Sequence, residues 1–311
     1  MKQVLALFLL TVLSRFALLG PGYGPEEDAW GHVQNIYEMK EAGRYIMSRL
    51  PGHPVYEGLL YSLWPIHSAL VFNLLSALAS GLAVIAFYRL AKHFTIKQPF
   101  YASAAFSFVP IFYLTGTYTI DYTLGLALSL WAYYFILKRK LFWSALLLAL
   151  AIGTRITWIL MLMPILAALN GFKFETFEIK KSFKFLLLFG FLSALAYYPV
   201  YDAYGIAFFN TYKLPYPPLS KAIYKGTIGV WGLIGFGLVS ILFFTFFRRL
   251  KHYLSQLKWH HIVWGIPIIL YTLIFIRLPE KSAFFVPVIP FLLLFIFSFL
   301  KEKWIKWSAS I

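Results

Sequence analysis

Long runs of apolar residues alternate with short polar connections along the whole chain. Ten such runs can be drawn, and several are long enough for a helix that crosses the hydrocarbon core of a bilayer. They cover approximately residues 4–20, 68–91, 100–117, 122–137, 141–153, 156–170, 183–201, 227–247, 261–276 and 283–300. This pattern predicts an all-α, polytopic integral membrane protein with about ten transmembrane helices. The prediction is a single transmembrane domain over residues 1–311, without a separate soluble domain.

The stretch 141–170 has two interpretations, because one long helix there would leave only nine spans. The charge distribution favours a hairpin that turns at Gly153, Thr154 and Arg155. Its first arm is 13 residues long, or roughly 20 Å at the helical rise of 1.5 Å per residue, against a hydrocarbon core of about 30 Å. The turn is therefore predicted to be recessed, with Arg155 in one half of the membrane. The run that ends at Ile276 is also short, which predicts a similar depth for Arg277 and a cavity walled by these helices.

The longest connection is the first outer loop, residues 21–67. It begins with Glu26, Glu27 and Asp28, and acidic residues are favoured in the first turn of a helix. An amphipathic helix should follow and end at Gly43. Its predicted apolar face is Ala29, Trp30, Val33, Ile36 and Tyr37. A turn at residues 51–54 then leads into a second apolar segment, so the loop is predicted to contain amphipathic juxtamembrane helices.

Charge is distributed unequally between alternate connections. One set carries 18 Lys and Arg residues and three acids, and the other carries nine cations and nine acids. Because cytoplasmic loops of membrane proteins are enriched in Lys and Arg, the first set and both termini are predicted to be cytoplasmic, in a plasma (inner) membrane. The same bias explains the net charge of +16 without nucleic acid. A hydrophobic fraction of 60% and a mean hydropathy of +0.72 exclude an ordinary soluble domain, and the lack of cysteine excludes a thiolate nucleophile.

Acidic residues on the predicted outer side are the first candidates for chemistry. Asp28 could act as a general base towards an acceptor hydroxyl, with Glu27 as the alternative base. Either could instead simply stabilise a helix N-terminus. Asp121, in the short turn before residue 122, could cap the next helix or face the same cavity. There it could orient an acceptor or a basic residue, or hold a divalent cation such as Mg or Mn together with Asp28, although a metal is not required.

Basic residues on the same side form a second set. Arg155, and Arg277 and Lys281 in the late turn, could bind a phosphate, whereas the alternative for Arg155 is an ion pair with Asp121 or Glu57. His53 lies in the turn at 51–54 and could contact a substrate. The histidines of the loop show no pattern typical of a metal site, and no phosphate-binding loop for a nucleotide-sugar occurs.

The order of these motifs resembles the GT-C superfamily of polytopic glycosyltransferases, in the branch of the protein O-mannosyltransferases and lipid A aminoarabinose transferases. The matching residues are Glu27–Asp28–Ala29 before a helix, Glu41 to Tyr45, Ser48–Arg49 to Pro54, Asp121, Gly153–Thr154–Arg155, and Arg277 to Lys281 ahead of Pro287 and Pro290. Two departures matter. The acidic pair is Glu–Asp rather than Asp–Glu, and the late turn has Lys281–Ser282 rather than Arg–Tyr, which could move the phosphate contact to Arg277.

The resemblance implies a polyprenyl-phosphate-linked sugar as donor and a transfer that inverts the anomeric carbon. It implies a lipid, glycan or protein acceptor on the extracytoplasmic side, with the bilayer as the other partner. Asp28 or Glu27 would then be the base. Asp121, Arg155, Arg277, Lys281, His53 and Arg49 would bind substrates. Some branches of the superfamily use a divalent cation and others do not.

A transporter or flippase of lipid-linked sugars is the competing hypothesis. Such a protein favours charged residues near the middle of the bilayer and repeated, interrupted helices. The acids of this chain cluster on one side and no internal repeat is visible. A membrane scaffold without chemistry would not explain the outer acids. The transferase therefore remains the favoured prediction.

Overall fold

The computed structural model describes residues 1–172, 178–209, 215–248 and 255–308, and these residues form helices, turns and loops without any strand. The α-helices are α1 (Lys2–Arg15), α2 (Glu27–Ala42), α3 (Pro54–Ser62), α4 (Ala69–His93), α5 (Pro99–Ser107), α6 (Pro110–Thr115), α7 (Tyr122–Leu137), α8 (Leu141–Thr154), α9 (Leu162–Leu169), α10 (Ile179–Tyr204), α11 (Leu219–Gly226), α12 (Ile228–Arg248), α13 (Trp259–Arg277), α14 (Val288–Phe299) and α15 (Glu302–Ser308). Short 3-10 helices lie at Phe16–Leu18, Trp64–Ile66, Ile156–Met161, Gly205–Phe209 and Ser282–Phe285. The all-α prediction is therefore confirmed.

Several of these helices are apolar enough for a membrane. By length and composition α4, α10 and α13 could each cross a bilayer, and α11 with the first part of α12 forms a pair bent by 59° that could count as a fourth span. The exposed residues Phe183, Leu187, Phe191 and Leu195 repeat every four positions on α10. Such a stripe suits contact with lipid. The number of about ten spans remains a prediction, because the other apolar helices are shorter.

The predicted run 100–117 is interrupted. It forms α5 and α6, which are separated at Phe108 and Val109. Pro110 is the cause, because proline has no N–H for the helix ladder and pushes the preceding residue into an extended conformation. Val109 accordingly has ψ 121°.

The stretch 141–170 is a hairpin, as the charge pattern favoured. Thr154 ends α8, and Arg155 is extended with φ −163° and ψ 123° before the chain resumes as a 3-10 helix. At the opposite end, Arg139 Nη1 donates a hydrogen bond to the carbonyl of Leu169 at 2.6 Å. The start of α8 and the end of α9 therefore lie together, and Arg155 is at the turn.

Alternate connections gather at opposite ends of the helices. At one end, Phe94 after α4 packs against Phe172 after α9 and His260 at the start of α13. At the other end, the N–H of Thr119 donates to the carbonyl of Tyr23 at 2.8 Å. The described basic connections at residues 94–98, 138–140, 258–260 and 301–302 share the Phe94 end. Five residues used in the charge comparison lie outside the described residues: Lys173, Glu175, Lys213, Arg249 and Lys251.

The first loop contains two helices, α2 and α3. Gly43 ends α2 with φ 61°, a left-handed conformation that glycine adopts without a Cβ clash. The predicted apolar face of α2 is divided, because Trp30 and Tyr37 are about half exposed whereas its other members are buried together with His32 and Asn35. The remaining predicted positions are buried: Ala29, Val33 and Ile36. The helix buries a mixed polar face because that face packs against charged groups described below.

The contact between α7 and the α8–α9 turn tolerates no added methyl group. A Cβ built on Gly125 would fall well inside contact distance of Trp158 Nε1 and Thr154 Oγ1. Gly125→Ala should therefore lower the free energy of unfolding by about 1–3 kcal/mol. The matched control is Gly190→Ala in α10, where nothing lies within 4 Å and alanine should stabilise the helix slightly. Denaturant unfolding in detergent compares the two, and equal stability of both variants would contradict this packing.

Candidate active site

Asp28 lies in the first turn of α2 and is held by two cations. Its Oδ2 pairs with Arg49 Nη1 and lies 2.5 Å from Lys281 Nζ. Arg49 comes from the segment between α2 and α3, and Lys281 from the late turn after α13. The carboxylate is 12% exposed, so the three groups form a largely buried cluster.

The two cations decide the charge of Asp28. Burial alone would raise the pKa of the Asp28 carboxyl, but the charges of Arg49 and Lys281 outweigh burial and lower that pKa below its ordinary value. The carboxylate is therefore ionised at neutral pH, and it is a weak base for as long as both cations remain on it.

Glu26 extends this cluster towards an open cavity. Its Oε2 lies 3.4 Å from Lys281 Nζ, and its Oε1 accepts a hydrogen bond from the Tyr118 hydroxyl at 2.8 Å. Burial, and then the Glu26 charge, raise the pKa of Tyr118, which keeps it a donor. Lys281, Glu26 and the exposed Glu27 line a cavity of about 790 Å³, to which α11 contributes Lys221 and Lys225.

Asp121 and Arg155 form a second, deeper ion pair. Arg155 Nε and Nη2 donate to the two Asp121 oxygens at 2.7 and 2.9 Å, and the Asp121 side chain is fully buried. The Arg155 guanidinium also lies over the Tyr122 ring, 4.1 Å from its centroid. Asp121 occupies the N-cap position of α7 without capping it. Of the two interpretations of Arg155, the structure therefore shows the ion pair.

His53 connects the two ion pairs. Its Nε2 accepts from Arg49 Nε at 3.1 Å, and its Nδ1 lies 2.5 Å from the carbonyl of Thr154 and 3.5 Å from Asp121 Oδ2. His32 lies edge-on to the His53 ring, with its Nε2 3.8 Å from Asp121 Oδ1. Sequence reasoning considered His32 only as a possible metal ligand and did not place it beside Asp121, because no motif marks it on α2.

Glu57 organises the loop that carries Arg49 and His53. This fully buried carboxylate accepts from the N–H and hydroxyl of Ser48, at 2.8 and 2.6 Å, and from the N–H of His53 at 3.1 Å. It also accepts from the Tyr45 hydroxyl, whose pKa is raised by burial and then by the Glu57 charge. Sequence reasoning considered Glu57 only as a partner of Arg155, and the structure gives it this different set of partners.

Two buried polar atoms beside the cluster lack a hydrogen-bond partner among the described residues. They are Arg49 Nη2 and the Tyr122 hydroxyl oxygen. A buried unpaired polar group costs about 1–3 kcal/mol, so such groups commonly mark a place where a polar ligand binds. Both belong to residues that already contact the two ion pairs.

Arg277 is not part of this arrangement. It is exposed at the end of α13, and within the described part of the chain no ion pair joins it to the cluster. A divalent cation between Asp28 and Asp121 would have to replace Arg155, which binds both Asp121 oxygens, and would lie beside Arg49 and Lys281 on Asp28 Oδ2. Residues 1–172, 178–209, 215–248 and 255–308 also bring together no three acidic or histidine side chains suited to a metal ion.

Comparisons with known proteins identify the fold. No family model and no curated protein sequence matches the chain. Two solved structures of ArnT from Cupriavidus metallidurans do match: the apo state, with TM-score 0.66 and 15% identity, and the state bound to undecaprenyl phosphate, with TM-score 0.62 and 14% identity. Each alignment covers 96% of this chain and 60% of ArnT, so the chain spans about 60% of the length of these structures. ArnT is a GT-C lipid A aminoarabinose transferase, and the chain described here has a GT-C-like fold.

Proposed function

We propose that this protein is a membrane glycosyltransferase that moves a sugar from a polyprenyl-phosphate donor to an acceptor hydroxyl, with inversion and with Asp28 as the general base. The observation that carries the proposal is the Asp28 carboxylate held between Arg49 and Lys281, of which Lys281 also lines the open cavity. A base and two phosphate-binding cations are what this reaction requires. Glu27, which lines the same cavity but makes no described ion pair, is the alternative base.

The reaction breaks the bond between the anomeric carbon and the phosphate oxygen, which leaves with the electron pair. The acceptor oxygen forms the new bond from the opposite face, and its proton goes to the Asp28 carboxylate. Charge grows on the leaving phosphate as the bond breaks, and Lys281 and Arg49 stabilise that charge. His53, Asp121 and Arg155 lie deeper in the protein and hold Arg49 in place.

Donor binding itself would strengthen the base. In the free site Arg49 and Lys281 lower the pKa of Asp28. A donor phosphate shares these two cations with Asp28, and its negative charge offsets their effect on the carboxylate. The pKa of Asp28 then rises towards its ordinary value, which makes it a better proton acceptor at the moment when the donor is in place.

Two further observations support the choice of donor and side. The ArnT structure with undecaprenyl phosphate has a similar fold, which favours a polyprenyl-phosphate donor. Several described basic connections share the Phe94 end of the helices, whereas Asp28 lies at the end where Tyr118 donates to Glu26. With Lys and Arg enriched on the cytoplasmic side, Asp28 would face the extracytoplasmic side of the plasma membrane.

The direct test is turnover by purified protein in nanodiscs. A panel of polyprenyl-phosphate sugars is offered with a membrane extract as acceptor, and mass spectrometry follows donor loss and product. Sugar-dependent consumption of one donor supports the transferase. Saturable donor binding without any turnover would instead favour a transporter or flippase of lipid-linked sugars.

Removal of Lys281 should weaken donor binding. Lys281→Met keeps the length of the side chain but loses the charge beside Asp28, so the Kd for donor should rise about tenfold or more, as expected for a charged hydrogen bond. Arg277→Ala is the comparison, since sequence reasoning named Arg277 beside Arg155 and Lys281 as a candidate for the phosphate contact. A larger effect of Arg277→Ala than of Lys281→Met, measured by donor binding to nanodiscs, would restore that assignment.

A further inference from the structure

His53 has both ring nitrogens engaged by groups whose hydrogen-bonding roles are fixed. Nδ1 faces the Thr154 carbonyl at 2.5 Å, and Arg49 Nε faces Nε2 at 3.1 Å. A carbonyl can only accept and an arginine Nε–H can only donate. The tautomer with its proton on Nδ1 and its lone pair on Nε2 satisfies both contacts. The side chain is about 2% exposed, and both ring nitrogens already have partners, so neither nitrogen is left to contact a substrate.

The Thr154 carbonyl, which fixes the orientation of the His53 ring, comes from a distant part of the chain. Thr154 is the last residue of α8, where helix carbonyls lack partners within the helix, and it lies 101 positions from His53. The backbone N–H of His53 is held as well, by Glu57 Oε2 at 3.1 Å. The imidazole is thus fixed by its own backbone on one side and by the end of α8 on the other.

The fixed imidazole in turn sets the plane of the Arg49 guanidinium. That group is planar, so a hydrogen bond from Nε to His53 and an ion pair from Nη1 to Asp28 determine where Nη2 points. Nη2 is buried and has no hydrogen-bond partner among the described residues. One nitrogen of an otherwise fixed cation is therefore left available next to Asp28.

We infer that His53 is a positioning residue, whose Nε2 lone pair orients Arg49 so that Nη1 pairs with Asp28 while Nη2 is directed to an oxygen of the donor phosphate. This inference rests on the proposed function. It replaces direct contact between His53 and substrate with an effect that acts through Arg49. It also explains why a histidine occupies this position. The Thr154 carbonyl holds the proton on Nδ1, which leaves Nε2 as the nitrogen that accepts from Arg49.

Two substitutions separate the two hydrogen bonds of His53. The amide of glutamine reaches the position of Nε2 and can accept from Arg49, whereas the shorter asparagine reaches the position of Nδ1 and can donate to Thr154. His53→Gln should keep the donor KM within about threefold of the unmodified protein. His53→Asn should raise the donor KM about tenfold or more and change kcat less. Thermal unfolding of both variants in nanodiscs controls for stability.

A double-mutant cycle tests whether the effect passes through Arg49. With Arg49→Met in the background, His53→Asn and His53→Gln should have the same donor KM, because the group they position is gone. An unchanged difference between them in that background, or a greater loss from His53→Gln than from His53→Asn, would overturn the inference while leaving the transferase intact. If the unmodified protein neither binds nor turns over any polyprenyl-phosphate sugar, the proposed function fails and the inference fails with it.

Discussion

Asp28→Asn is expected to lower kcat for sugar transfer by about 10²–10⁴-fold, the usual contribution of a general base. Asparagine has nearly the same shape but cannot accept the proton of the acceptor hydroxyl. The donor should bind at least as tightly as before, because Arg49 and Lys281 no longer have a carboxylate that competes with the phosphate. Separate measurement of kcat by product formation and of Kd by donor binding distinguishes loss of the base from loss of the site.

Glu27→Gln is the matched control for that experiment. It makes the same change of charge one residue earlier, at an exposed position of the same helix turn. Activity that survives Asp28→Asn but is lost in Glu27→Gln would transfer the role of base to Glu27. Full activity of the double variant Glu27→Gln, Asp28→Asn would rule out an acidic base at this helix.

Asp121→Ala is expected to cost about 3–5 kcal/mol of unfolding free energy, the range found when one partner of a buried ion pair is removed. Both oxygens of Asp121 accept from Arg155, and the carboxylate is fully buried. Without it, the Arg155 guanidinium remains among the helices with no acid to pair with. Denaturant unfolding in detergent, followed by tryptophan fluorescence, measures the loss.

The double variant Asp121→Leu, Arg155→Leu controls for the pair. It removes both charges together, so it should recover much of the stability that Asp121→Ala loses. A loss below about 1 kcal/mol for Asp121→Ala, the range of exposed salt bridges, would mean that the pair is well solvated. Arg155 could then leave Asp121 and bind a phosphate, which is the other role that the sequence suggested for it.

Local patterns were sufficient for much of the fold. Apolar runs marked the helices, the charge bias chose the hairpin over one long helix at 141–170, and Gly43 marked the end of α2. They were insufficient at Pro110, where a break divides one run into α5 and α6. On α2 they placed Trp30 and Tyr37 on one apolar face with Ala29, Val33 and Ile36, but the structure buries only the last three. Hydrophobicity alone does not distinguish a face that packs on protein from one that faces lipid.

The sequence by itself determined which side of the helices carries the acids and which residue types could do chemistry there. Only the tertiary structure decided the partners: Lys281 and Arg49 on Asp28, Arg155 on Asp121, and Glu57 on the loop of Arg49. The reason is physical. Helix formation and membrane sidedness depend on residues a few positions apart, whereas ion pairs join segments far apart in the chain that only helix packing brings together.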